Sequence, residues 1–130
     1  QYALAQEFME SGVWAYPTWF SETSCITAME AQAAGLRIVT SPLAALNETV
    51  GNRGKMITGD WLDPIYQKNW AEAVIEAMIA DDSDGVRARN QNHARSAFCI
   101  ERLGVEWDTM LHETVLEVQE NIVPKYKAVG

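Results

Sequence analysis

A chain of 130 residues, 48% apolar and 22% charged, has the make-up of one globular domain at most. Its formal charge of −8 argues against a nucleic-acid partner, because that affinity comes from Lys and Arg meeting phosphates, though one small phosphorylated ligand needs only local donors. No apolar run approaches the roughly 18 residues of a membrane span, and two distant cysteines, Cys25 and Cys99, frame neither a disulfide scaffold nor a metal site and fit a reducing, cytoplasmic compartment.

Gln1 to Met9 reads as a helix already in progress with no initiator Met, so the sequence is expected to be part of a longer chain. Over residues 2–11, Leu4 and Phe8 share a helical face with Ala5 and Met9 beside them, and Gly12 is expected to close the helix in a left-handed cap. Val13-Trp14-Ala15-Tyr16 is a short apolar run without alternation, which suits a strand covered on both faces, and Pro17 stops it. A polar and aromatic loop follows over 18–24. The next helix starts near Cys25 or Ile26 and runs to Ala34, its alanines allowing close packing on a sheet, with Gly35 as terminator.

Arg37 to Thr40 is a second strand. After Ser41-Pro42, residues 46–50 make one or two helical turns, Gly51 to Gly54 is a turn, and Lys55 to Thr58 is a weaker third strand. Pro64 suits the first turn of a helix in which Ile65, Trp70, Val74 and Met78 recur with helical spacing to about Ala80. Asp81 to Gly85 is a break, and 86–98 is a polar helix whose arginines, with Arg102, are read as a solvated face. Leu103, Trp107, Met110, Leu111, Val115 and Val118 mark a last amphipathic helix to about Asn121, and Pro124 is expected to end regular structure.

Helix and strand alternating in this way predict an α/β fold, a partial Rossmann-like parallel sheet of about three strands with flanking helices. Ligands of open α/β sheets sit beyond the carboxyl ends of the strands, which is where the loop from Pro17 to Ser24 lies. At the helix start, the backbone N–H groups of Ser24, Cys25 and Ile26 point outward and suit an anion such as a phosphate. Glu22 lies just before that terminus, and Glu30 lies one turn past Ile26 on the same face. Carboxylates accept hydrogen bonds from vicinal hydroxyls, so phosphate and acids together describe a nucleotide sugar. On spacing alone, the plainer reading is that Glu22 favours the helix dipole and Glu30 is a solvated helix residue.

Pro17-x4-Glu22-x7-Glu30-Ala31-x3-Gly35, followed by Ile38-Val39, Glu48 and Gly54-Lys55-Met56-Ile57, resembles the C-terminal part of retaining group-1 (family 4-like) glycosyltransferases of the two-domain GT-B fold. The likeness spans about Leu4 to Leu111. It implies that residues 1–130 are a single partial domain, the second half of the donor-binding domain, without the acceptor domain. By the resemblance, Glu22 contacts hydroxyls of the transferred sugar as the catalytic-site acid. Glu30 binds the ribose, and the amides of Thr23, Ser24, Cys25 and Ile26 lie against the diphosphate and sugar. The implied reaction passes a sugar from a nucleotide-diphosphate donor to an acceptor with retention of configuration, with no cofactor and no metal. Ser24 and Cys25 stand where the family usually carries an aromatic and a small residue, and Ala44-Ala45 where it commonly has Gly-Gly. The family's diphosphate-neutralising Arg and Lys lie upstream of this motif, so the isolated chain is expected to be inactive in transfer.

Two other readings remain open. The chain could be a non-catalytic remnant that forms a homo-oligomer through an unpaired Val13–Tyr16 strand, since an open apolar edge invites pairing. It could also belong to a nucleotide-sugar epimerase of similar fold. A Cys25 nucleophile at the helix start has no His partner in a catalytic pattern, as His93 and His112 are distant in sequence. Trp19 and Phe20 could stack on a base or an acceptor, with packing against neighbouring loops as the plainer reading.

Overall fold

A computed structural model describes residues 2–127, with side chains as far as Glu117. The chain divides between Ala97 and Phe98 into two compact units. The first is α/β. Its elements are α1 (Tyr2–Glu10), β1 (Val13–Tyr16), α2 (Ile26–Ala33), β2 (Arg37–Thr40), α3 (Leu46–Thr49), β3 (Lys55–Met56), α4 (Pro64–Ile79) and α5 (Val86–Ala97), with short 3₁₀ turns at Gly51–Arg53 and Asp82–Asp84. The second unit holds α6 (Ile100–Lys127). No described helix is long and apolar enough to cross a membrane.

The sheet order is β1-β2-β3, and both pairings are parallel. Val13 to Tyr16 pair with Arg37 to Thr40 in register, and Val39 and Thr40 with Lys55 and Met56. All three carboxyl ends therefore lie along one edge. Successive side chains of a strand point to opposite faces, and β2 divides the core accordingly. Ile38 packs with Cys25, Ala28, Ala31, Leu36, Leu46 and Val50 under α2 and α3. Val39 packs with Ile57, Tyr66 and Ala73 under α4. The four residues of β2 are all buried, as a central parallel strand requires.

β1 differs from the expectation of a strand covered on both faces. It is an edge strand, half-buried, with Ala15 exposed, and no described strand pairs with its outer side. An apolar run tells how much a strand can bury, and only the sheet order tells what covers it. Gly12 is not the left-handed cap expected, since it is absent from the positive-φ glycines. Ser11 closes α1 instead, its hydroxyl donating to the Glu7 carbonyl at 2.6 Å and its N–H to Phe8 at 3.2 Å. Gly35, at φ 78°, does take the left-handed conformation that ends α2. Gly54 serves a close approach: a Cβ there would fall 2.7 Å from Val50 Cγ1 and 2.8 Å from Ile38 Cβ.

α4 begins with Pro64 in its first turn and Asp63 as cap, Asp63 Oδ1 accepting from the Ile65 N–H at 2.8 Å. The predicted third strand is shorter than its sequence suggested, ending at Met56, although the Ile57 N–H still donates to the Thr40 carbonyl. α6 continues past Pro124 to Lys127, where an end was expected. Trp107, Met110, Leu111 and Val115 of α6 are exposed, and Val118 lies outside the described side chains.

Candidate functional site

Three loops leave the carboxyl edge of the sheet: 17–25 after β1, 41–45 after β2 and 57–63 after β3. The first carries Glu22, which is half-buried between exposed Ser21 and Thr23. Its Oε1 accepts a 2.5 Å hydrogen bond from the Tyr16 hydroxyl at the end of β1. This bond to a carboxylate raises the Tyr16 pKa, so the phenol keeps its proton and acts as donor. The Glu22 backbone carbonyl accepts from the Ala45 N–H at 3.2 Å, tying the first loop to the second. Glu22 is thus held at both its backbone and its side chain.

α2 starts at Ile26 with Cys25 as the residue before it, and no side chain caps it. The Ala28 and Met29 N–H groups both donate to the Cys25 carbonyl. Those of Ile26 and Thr27 have no backbone acceptor among the described residues, and both residues are exposed. An uncapped helix start of this kind retains donor capacity for an anion. The Cys25 side chain turns the other way, fully buried in the α2–β2 core, with its sulfur 3.4 Å from Thr27 Oγ1. Burial pushes its thiol pKa up, which is opposite to what a nucleophilic cysteine needs. Only its backbone is available to a ligand.

Glu30 is exposed on α2. It lines an apolar groove of about 280 Å³ formed with Leu4, Phe8 and Met9 of α1 and Ala33 and Ala34. Glu22 and Glu30 are separated in their surroundings: one is fixed by Tyr16, the other stands at the rim of the α1–α2 groove.

Buried polar side chains brace α2 and β2. Gln32, with no exposed surface, donates through Nε2 to the Thr49 carbonyl at 2.9 Å and the Ala28 carbonyl at 3.1 Å, and its Oε1 accepts from Arg53 Nε at 3.0 Å. Arg53 Nη2 also donates to the Thr49 carbonyl, and burial lowers the Arg53 pKa. At the opposite end of β2, Arg37 is buried and clamped by Asp84 through two bonds of 2.7 and 3.0 Å, with a third, 2.7 Å, to the Asp81 carbonyl. Asn90 of α5 donates to the Leu36 carbonyl at 2.8 Å. Of the arginines read as a solvated face, Arg89, Arg95 and Arg102 are exposed, while Arg87 is half-buried and donates to the Gly35 carbonyl at 2.9 Å. Composition gave no sign of these roles, because each partner is distant in sequence or lies on the backbone.

The loop after β2 holds one strained residue. Ala44 has φ 47°, the left-handed region that side chains with a Cβ disfavour. The loop after β3 brings Trp61 against Trp19, ring centroids 5.2 Å apart. The sequence marks Trp19 as a loop aromatic able to stack; Trp61, also an aromatic in a loop, carries the same signal and was not singled out. No group of three or more His, Cys, Asp and Glu among the described residues is placed to hold a metal ion. Family models, curated proteins and solved structures return no match to this chain.

Proposed function

We propose that the chain forms the donor-binding half of a retaining glycosyltransferase that uses a nucleotide-diphosphate sugar, its sheet being part of a Rossmann-like domain of a GT-B fold. The observation that carries this reading is the juxtaposition at the carboxyl edge: an α2 start without a cap follows, within one loop, a Glu22 carboxylate pinned by Tyr16. The donor capacity at Ile26 and Thr27 suits a diphosphate. Tyr16 occupies one oxygen of Glu22 and leaves the other to accept from sugar hydroxyls. Glu30 would take the ribose from the α1–α2 groove side.

No described Lys or Arg lies in the stretch from Pro17 to Gly35, so the charge that neutralises the donor must come from outside it. The chain by itself should therefore bind a nucleoside diphosphate weakly and transfer nothing. Backbone amide NMR with added UDP or GDP tests the site. Thr23 to Ile26 and Glu30 are expected to shift, and Glu22→Ala should abolish transfer in an enzyme carrying the complete donor and acceptor domains. Unmoved amides across both diphosphates would sink the reading.

A further inference from the structure

The stacked pair Trp19 and Trp61 is the feature that the donor site leaves unused. Their ring planes differ by 24°, yet the residues remain 71% and 50% exposed, and Phe20 and Leu62 beside them are exposed as well. Tryptophan is highly buried on average. Here each ring covers one face of the other and leaves the second face to solvent.

The pair comes from two braced loops. Thr18 Oγ1 accepts from the Phe20 N–H at 3.0 Å in the first. In the second, Gln67 Nε2 donates to the Trp61 carbonyl at 3.1 Å and Asp60 Oδ1 accepts from the Leu62 N–H at 2.9 Å. The rings are therefore positioned in advance, which limits the ordering cost of binding.

Between these loops lies a cavity of about 280 Å³, walled by the indoles and by Thr18, Ser41, Thr58 and Tyr66. On its floor, Ser41 Oγ and Tyr66 Oη are hydrogen-bonded at 3.2 Å and buried. No charged side chain lines it. Its volume falls just below the roughly 300 Å³ at which pockets for drug-sized ligands begin, so it fits about one ring. It lies at the same carboxyl edge as Glu22, on the loop that Glu22 shares with Trp19.

We propose that Trp19 and Trp61 form a binding platform for a neutral saccharide, with one pyranose seated over the indoles. A pyranose presents an apolar C–H face and out-of-plane hydroxyls. The aromatic faces match the first, and the Thr58 hydroxyl, with the bonding capacity that Ser41 and Tyr66 keep beyond their mutual bond, matches the second. A nucleobase is instead read along a planar edge by groups of fixed direction, and an anion needs cations that this wall lacks. That the saccharide is the acceptor rests on the transferase reading; the binding itself does not.

The five Trp indole N–H signals of the ¹⁵N-labelled chain test this directly. The titrants are methyl glucoside, methyl mannoside, N-acetylglucosamine and cellobiose, with uridine and guanosine in a separate series. With at least one saccharide, the Trp19 and Trp61 signals should move together. Trp61→Ala should weaken that saccharide roughly tenfold, a loss of the size an aromatic contact supplies. Trp61→Phe, which keeps a ring, should fall between. Immobile Trp19 and Trp61 signals with all four sugars overturn the proposal. So do signals that move only with nucleosides, or only with protein concentration, which would assign the platform to a base or to a second copy of the chain. Because UDP reads out at the Thr23 to Ile26 amides, failure of the donor site and failure of the platform are separate results.

Discussion

Gln32 and Arg53 offer a test of what holds α2 in place. Gln32→Leu keeps the side-chain volume close to native and removes every polar atom. The Thr49 carbonyl keeps its bond from Arg53 Nη2, so the group left without its partner is Arg53 Nε–H. A lost hydrogen bond to a charged group costs about 1.5–3 kcal/mol. Burying leucine in place of an amide returns part of that, for a net loss of about 1–2 kcal/mol. Arg53→Met makes the reciprocal defect, leaving Gln32 Oε1 buried without a donor, at a cost of about 1–3 kcal/mol. The double variant is not a clean reference, because it strips the Thr49 carbonyl of both its side-chain donors. Urea unfolding followed by circular dichroism should therefore show each single variant destabilised by about these amounts. A loss below about 0.5 kcal/mol in both would refute the claim that this bond joins α2 to the α3 region.

Two further perturbations address the rest of the unit. Asp84 has its pKa lowered chiefly by the bond from Arg37, then by the Val86 N–H. A carboxylate depressed in the folded state stabilises above its unfolded value of about 4 and loses that contribution as pH falls through the folded one. Asp84→Asn should flatten the decline of the urea midpoint below about pH 4, and an unchanged acid limb would remove Asp84 from that role. Asp81, lowered by its bonds from Ser83, should leave a residual slope. Ala44→Gly should raise stability by about 0.5–1 kcal/mol, since relief of the left-handed strain exceeds the entropy of the added glycine. A fall in the thermal midpoint of this variant would show that Ala44 bears no strain.

Local chemistry makes most element boundaries legible in the sequence. Pro17, Gly35, the Asp63-Pro64 pair and Gly85 punctuate the chain, and an element stops or starts near each. The acidic loop and the α2 start are legible for the same reason: the spacing of Glu22, Ile26 and Glu30 is a local pattern. What surrounds them is not. Tyr16 reaches Glu22 because β1 ends where the loop turns back, and that depends on the loop path.

By itself, the sequence determined the alternation of helix and strand, the parallel α/β class and the helix start that follows Glu22, because turn residues and apolar spacing act over a few positions. Only the tertiary structure decided that Arg37 is closed off by a turn 47 residues away, and that Trp61 stands against Trp19. Each of those needs segments distant in the chain to meet, and burial and hydrogen-bond geometry, absent from a string of letters, choose which ones do.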